Sequence, residues 1–245
     1  MRETFILASG NITIGAHRGV VHVPGLGTVD LDVVWTTLIA VAILLTLGFL
    51  MRRKATSGVP GKLQLFWEVL VEQVSDLAES AIGPQGRRFV GLGITVFLFI
   101  LICNWLAFIP SGDPGILAPP TGDVNLPLAL AVIVIFLVHW NSVKARGGRG
   151  YFKHYAQPYA ALTPINIIEE LTKPITLTFR LFGNIFSGVL MIAVIVTLIP
   201  PYASWIGLAV WKPFDELFIG AIQAFIFALL TIIYLGMATS SDEAH

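Results

Sequence analysis

The sequence predicts an all-α polytopic membrane protein. About five helices would be embedded in the membrane, one amphipathic helix would lie at its surface, and the last two membrane helices would be long and strongly tilted. Three observations predict this class: the composition, the apolar runs and the placement of the charged residues. Of the 245 residues, 56% are hydrophobic and 12% are charged, and the mean hydropathy is +0.81. Soluble domains carry roughly 25% charged residues, so lipid is the predicted solvent for most of the chain.

The charge balance and the cysteine count exclude several function classes. Basic and acidic residues number 15 each, so there is no basic excess to indicate a nucleic-acid partner. The single cysteine, Cys103, lies in an apolar run and is predicted to be a small buried hydrophobe. No metal and no organic cofactor is predicted. Because Phe5–Ala8 is too short for a signal-peptide core, no cleaved leader is expected.

Three apolar runs predict single membrane spans. As helices, residues 33–51 and 89–109 would extend about 28 Å and about 32 Å, against a hydrocarbon core of ~30 Å. Residues 126–140 form a shorter run that reaches useful length with its flanks. In the N-terminal segment, residues 1–32, short alternating runs such as Val21–Val23 are compatible with a small hairpin.

Residues 62–82 predict the amphipathic helix. Apolar side chains recur there every three to four residues, and acidic side chains follow another face with the same period. Such a helix would lie on the cytoplasmic membrane surface or against a partner helix. Its acidic face suits a protein partner better than anionic lipid, and a plainly solvated face is the alternative. Pro60-Gly61 and Gly83-Pro84 delimit it.

The basic residues predict the orientation, because Lys and Arg in short loops mark the cytoplasmic side. Basic clusters follow the first span, precede the second and follow the third, whereas the loop between the second and third carries only Asp113 and Asp123. The N-terminal segment is therefore predicted to lie outside. With five spans, the C-terminus would lie inside.

Two longer tracts, residues 164–199 and 214–241, complete the membrane part, with a predicted break at Pro200-Pro201 and at Lys212-Pro213. The first tract would reach ~54 Å as a helix, and a tilt of 40° would still leave it about 41 Å deep. It must therefore be kinked, with Pro174 as the candidate, or steeply inclined. An inclined helix suggests packing along a curved surface.

Arg180 is the only charged residue between Pro174 and Trp211. Its guanidinium stays protonated, and placing one at bilayer depth costs ~2.5 to 3.5 kcal/mol on insertion scales, so such residues usually carry function. Helical spacing puts further polar residues on its face: Glu169, Lys173, Thr176, Asn184 and Ser187. Hydrogen bonding between helices would explain the hydroxyl and amide groups one by one, but it does not explain Arg180.

Acidic residues flank Arg180 on both sides of the predicted membrane. Glu169 and Glu170 would lie on its cytoplasmic side, and Asp215 and Glu216 on its outer side. Glu216 shares a helix face with Gln223, whereas Asp215 points about 100° away. A position at the membrane interface, where the start of a helix favours negative charge, is the alternative for both acids. Together the acids predict two aqueous half-paths that meet at a positive barrier.

Two motifs of the last tracts resemble subunit a of bacterial F-type ATP synthases. They are Phe179-Arg180-Leu181-Phe182-Gly183-Asn184 and Gln223-Ala224-Phe225-Ile226-Phe227. The resemblance runs from Lys54 to the C-terminus and takes in four further places: Lys54–Lys62, Asn104 before Pro110, Asp123–Asn125 and Pro164–Asn166.

This resemblance implies a non-catalytic stator subunit in the bacterial plasma membrane, which faces a ring of c subunits that each carry one carboxyl group. It also implies peripheral-stalk b-type subunits as partners within the whole ATP synthase. Arg180 would attract the ionised ring carboxylate and prevent a leak, with Gln223 and Asn184 near that contact. Asn104 and Thr176 are also predicted to line the half-channels. Glu170 matches an acid of the cytoplasmic half-channel, although helical phase favours Glu169, and both stay open.

The chain departs from some relatives near the outer path. They place a Glu nine residues after the arginine and a His seven residues before the glutamine, where this chain has Val189 and Glu216. The acid has changed helices, so Glu216 is expected to supply the outer titratable group.

The alternative function is a stand-alone secondary ion transporter or channel. Against it stand the lack of an internal repeat and of any acid at the depth of Arg180. An intramembrane hydrolase is disfavoured because His139 lies near the end of a span and no acid–histidine pair has zinc-ligand spacing.

Overall fold

The computed structural model describes residues 4–7, 10–13, 20–23, 27–109, 120–155 and 163–239. In chain order the elements are β1 (Thr4–Leu7), β2 (Gly10–Thr13), β3 (Val20–Val23), β4 (Gly27–Asp30), α1 (Leu31–Lys54), α2 (Lys62–Ile82), α3 (Val90–Phe108), α4 (Asn125–Tyr155), α5 (Thr163–Leu198), α6 (Pro201–Pro213) and α7 (Gly220–Thr239). Two 3₁₀ turns precede α3 and α4, at Pro84–Phe89 and Pro120–Gly122, and a π-helical turn, Phe214–Ile219, joins α6 to α7.

Five helical segments of the described chain are long and apolar enough to cross a membrane, which confirms the predicted class. They are Leu31–Lys54, Pro84–Phe108, Asn125–Tyr151, Thr163–Leu198 and Tyr202–Thr239. Two short antiparallel hairpins precede them, β1 with β2 and β3 with β4. The second hairpin contains the alternating run at Val21–Val23. Asp113 and the C-terminal residues 240–245 lie outside the described part.

Helix α2 begins and ends at the residues that its periodicity and flanking glycines predicted. Gly83 stops it with a φ of 74°, a left-handed conformation that favours glycine, and its N–H donates to the Glu79 carbonyl at 2.8 Å. At the other end, the side-chain amide of Gln64 donates to the Thr56 carbonyl and accepts from the Thr56 N–H, at 2.9 and 3.0 Å. The loop before α2 is thereby tied to the helix.

Trp140, where the predicted third span ends, is not the end of the helix: α4 continues to Arg146, and after Gly147 helical structure resumes as far as Tyr155. Ala, Lys and Arg favour the helical conformation, although Lys and Arg are too polar to extend the apolar run. The apolar run therefore ends before the helix does. Gly147 interrupts it with a φ of 72°. The Tyr151 hydroxyl lies 3.1 Å from Nδ1 of His139, whereas twelve residues of straight helix would separate their backbones by ~18 Å. The chain therefore folds back at Gly147.

The predicted start of the last helix at Phe214 is also wrong. Helical structure runs from Pro201 through Lys212-Pro213 to Thr239, and the only break lies at Pro200. Pro213 has no N–H to donate, so the carbonyl four residues before it loses its helical partner, yet the backbone stays helical and passes directly into the π turn Phe214–Ile219. Helix α5 differs from its predicted bounds by one residue at each end, and Pro174 lies inside it.

The chain divides into two compact units. The first contains residues 1–46, 99–126 and 180–224, and its buried cluster is formed by Ala40, Cys103 and Leu106. Burial of Cys103 confirms the prediction for this residue.

The second unit contains residues 47–98, 127–179 and 225–245. Its helices approach closely at glycines. A Cβ on Gly93 would lie 2.8 Å from Cγ1 of Ile232, and one on Gly236 would lie 2.9 Å from Cβ of Ile82. Both distances are too short for real atoms, so glycine permits the packing of α7 against α3 and α2.

Candidate functional site

Arg180 lies exposed on α5, next to other exposed side chains such as Phe179 and Ile175. Its backbone carbonyl accepts a hydrogen bond from Nε2 of Gln223, so α7 places this glutamine beside the arginine. Within the described ranges, no ion pair joins Arg180 to an acidic side chain. The guanidinium is therefore presented outward from an apolar helix, without a countercharge from the described chain.

A cavity of about 60 Å³ lies in the same unit, between α3, α5 and the π turn. We name it the carboxylate cavity. Four polar residues line it: Asn104, Asn184, Asp215 and Glu216. The rest of the lining is apolar or glycine: Ala107, Ile185, Gly188, Val189, Ile192 and Gly220. A buried site needs on the order of 10–15 Å³ per water and two or more polar partners, so this cavity can hold a few water molecules.

Glu216 contributes a carboxylate whose two oxygens differ. Oε1 lies 4.0 Å from Nζ of Lys212, one helical turn earlier. Oε2 is buried and has no hydrogen-bond partner in the described residues. Buried polar oxygens almost always have a partner, which is protein or water. Glu216 also lines the carboxylate cavity.

Asp215 is 8% exposed, and its carboxylate lies against the backbone of Gly188 on α5. A Cβ on Gly188 would lie 2.8 Å from Cγ of Asp215 and would overlap a carboxylate oxygen. The Gly188 carbonyl also accepts a weak hydrogen bond from Nε1 of Trp211, at 3.4 Å. Sequence reasoning did not identify Gly188, because no local pattern shows which residue faces it.

Asn104 is 3% exposed, and its side chain makes two hydrogen bonds. Its Nδ2 donates to the Gly220 carbonyl at 3.0 Å, and its Oδ1 accepts from the Thr121 hydroxyl at 2.8 Å. A Cβ on Gly220 would come within 3.1 Å of Asn104 Cβ, so the glycine allows this approach. Asn104 therefore holds one wall of the carboxylate cavity in place.

The second unit holds a separate cluster of polar groups. Nζ of Lys173 donates to Oε1 of Glu170 and lies 5.5 Å from the centre of the Tyr234 ring. Oε2 of Glu170 is buried and lacks a hydrogen-bond partner among the described residues, as Oε2 of Glu216 does. The Thr176 hydroxyl donates to the Lys173 carbonyl at 2.9 Å, whereas Glu169 is exposed. The structure thus brings Glu170, and not Glu169, to the lysine.

A scan against known families matches residues 33–236 to the model described as ATP synthase A chain. The chain belongs to this family. It is 48% identical to ATP synthase subunit a of Acidothermus cellulolyticus over 211 residues, which are 86% of this chain and 77% of the relative. It is 43% identical to ATP synthase subunit a of Mycobacterium leprae over the full length of both chains. The relative from Desulforamulus reducens is 34% identical over 91% of this chain and 85% of its own.

Family membership and the five apolar helices make this a membrane protein of ATP synthase, with a role in ATP synthesis and proton transport.

Proposed function

We propose that the chain is the non-catalytic stator subunit that conducts protons through the membrane sector of ATP synthase, by two offset half-channels against a ring of c subunits. The observation that carries this proposal is the exposed Arg180, a permanent cation on an apolar helix without an acidic partner in the described chain. Such a charge in lipid needs a countercharge, and a carboxylate on a neighbouring subunit supplies it.

Arg180 acts on the ring carboxylate electrostatically. A carboxyl group that faces lipid is carried in its neutral form, and an opposite charge within a few ångströms favours the ionised form. Arrival at Arg180 therefore releases the proton, and departure from it requires another. Because the guanidinium repels a free proton, the two half-channels stay unconnected except through the moving carboxylate. Gln223 holds the backbone of this turn of α5 through its bond to the Arg180 carbonyl.

The carboxylate cavity is the outer half-channel in this proposal. Glu216 is its proton-carrying group, since it lines the cavity and its Oε2 is buried and unpartnered in the described chain. Asp215 and Asn184 add polar wall, and Asn104 fixes the cavity's shape through its two hydrogen bonds. The water that this polar lining favours would link the two carboxylates to the ring.

The cluster of Glu170, Lys173 and Tyr234 is the inner half-channel. Glu170 pairs with Lys173 through one oxygen and leaves the other unpartnered within the described residues, which suits a group that accepts and passes on protons. Thr176 extends the polar line along α5 toward Arg180. Glu169 is exposed on a neighbouring face and is assigned no proton-carrying role.

The setting follows from the basic loops. We assign the chain to the bacterial plasma membrane, with the N-terminal hairpins outside and the C-terminus in the cytoplasm, because the ends of α1 and α4 are rich in Lys and Arg. Helix α2, with its exposed acidic side chains, is the surface offered to b-type subunits of the peripheral stalk.

The test is Arg180→Ala in the complete complex, reconstituted into liposomes. We expect coupled ATP synthesis to be lost and passive proton flux to rise, because the barrier between the half-channels is gone. Arg88→Ala, which removes an exposed arginine outside α5, is the control and should leave both rates unchanged. Coupled synthesis at the parent rate in Arg180→Ala would refute the barrier role. Ion flux by the purified chain without a ring would instead support a stand-alone channel.

A further inference from the structure

The second half of α4 carries a charged surface that the ion path does not use. No acidic residue occurs between Asn125 and Tyr155, while Lys144, Arg146, Arg149 and Lys153 follow one another within this helix. Arg146 is occupied, since its Nη2 donates to the Met237 carbonyl at 3.3 Å. That carbonyl lies in the last turn of α7, where backbone oxygens lack helical partners, so Arg146 anchors the part of α4 just before Gly147 to α7.

Two further basic residues of this helix are Lys144 and Arg149, and we name these two residues the α4 basic patch. Both side chains are exposed. Neither forms an ion pair with an acidic side chain of the described ranges. The patch thus presents two positive charges that no acidic side chain in the described part of the chain neutralises.

An exposed aromatic stripe leads to this patch. Phe136 and Trp140 are 62% and 63% exposed, and their rings stack with centroids 6.2 Å apart. Lys144 lies one turn further along the same face, because residues spaced by four share a side of the helix. A helix that leaves a membrane places apolar side chains among the acyl chains, Trp at the membrane interface and Lys among the head groups. Phe136, Trp140 and Lys144 follow this order.

The reversal at Gly147 places Arg149 near the level of Lys144. Gly147 has a φ of 72°, and the His139 and Tyr151 rings lie edge to face with centroids 6.0 Å apart across the fold-back. A straight helix would have carried Arg149 about 7.5 Å beyond Lys144 along its axis. Because the chain turns back between them, both charges stay at the end of the aromatic stripe.

We propose that the α4 basic patch binds the head group of one anionic phospholipid. The phosphate lies between the Lys144 ammonium and the Arg149 guanidinium, and an acyl chain lies along Phe136 and Trp140. Charge complementarity and the adjoining stripe select this occupant: an acidic protein segment would match the two cations but would leave the exposed aromatic face uncovered, whereas a lipid covers both.

The experiment compares three double variants of the complete complex with the parent in nanodiscs of phosphatidylcholine that contain phosphatidylglycerol. Lys144→Gln with Arg149→Gln removes the patch. Lys144→Arg with Arg149→Lys keeps its charge. Arg52→Gln with Arg53→Gln removes the same charge from the end of α1. The phosphatidylglycerol content of the nanodiscs is varied. The complexes are then purified in detergent, and the phosphatidylglycerol that stays bound is counted by mass spectrometry.

Each basic residue near a membrane surface contributes about 1 kcal/mol to binding of anionic lipid, so losing both should weaken phosphatidylglycerol binding about thirtyfold at low salt. The charge-keeping pair should bind like the parent, the α1 pair should retain this site, and added salt should weaken parent binding. Unchanged binding in the neutral α4 pair, or an equal loss in the α1 pair, would overturn the proposal. Loss of a co-purifying subunit with lipid binding unchanged would assign the patch to a protein and overturn it as well.

Discussion

Gly188→Ala tests whether the Asp215 carboxylate needs the space that glycine leaves on α5. The added Cβ would lie 2.8 Å from Cγ of Asp215, against 3.4 Å or more in ordinary contacts, and would overlap a carboxylate oxygen. Alanine in a helix interior gains roughly 0.5–1 kcal/mol over glycine, while overpacking a tight contact costs about 1–3 kcal/mol. The clash therefore dominates, and the carboxylate is pushed toward the carboxylate cavity that it lines.

We expect ATP-driven proton pumping by reconstituted complexes to fall about tenfold in Gly188→Ala, because the displaced carboxylate changes the lining of the cavity; in a rate this corresponds to roughly 1.4 kcal/mol of barrier. Gly48→Ala on α1 is the matched control, because a Cβ there meets nothing within 4 Å. It should pump like the parent.

A double-mutant cycle isolates the contact. If the clash with Asp215 is the cause, Gly188→Ala should have little further effect in an Asp215→Ala background, since neighbours that share a contact are not additive. Pumping at the parent rate in Gly188→Ala, or full additivity with Asp215→Ala, would refute the steric reasoning.

Three further predictions concern side chains of the two polar clusters. Glu216→Gln should reduce proton-driven ATP synthesis at least tenfold, because the amide cannot carry a proton, while Glu216→Asp should retain part of it; unimpaired synthesis in Glu216→Gln would remove this residue from the path. Glu170→Gln should slow passive proton flux more than its neighbour Glu169→Gln, and the reverse order would exchange their assignments. Asn104→Leu should lower the free energy of unfolding by about 1–3 kcal/mol, because it leaves a buried carbonyl and a hydroxyl without their partner, and an unchanged thermal midpoint would contradict that account.

Local patterns were sufficient where a single physical force sets the structure. Helix α2 has the bounds that its 3.6-residue period and flanking glycines predicted, and the membrane helices follow the apolar runs. Arg180 was identifiable from sequence because a lone charge in an apolar run is costly wherever the helix lies.

The same patterns failed where a local signal has two structural outcomes. Proline at 213 predicted a break, but the helix continues through it into a π turn. Basic residues after Trp140 ended the apolar run but not α4, which stops being regular only at Gly147. Hydropathy reports the preferred solvent of a segment, whereas helix continuity depends on backbone hydrogen bonds.

The sequence by itself determined the membrane class, the polar face of α5 and the set of acids from which a path could be built, because hydropathy and helical period act along the chain. Helical spacing left both Glu169 and Glu170 within reach of Lys173, and the structure shows that Glu170 makes the contact. Only the tertiary structure decided that Asp215 lies against Gly188. The contact of Glu170 with Lys173 depends on helical spacing within α5, whereas the contact of Asp215 with Gly188 depends on packing between two helical elements. The residues beside a carboxylate in the chain do not indicate which residues it contacts across a helix interface. Those contacts are known only once the helices are packed.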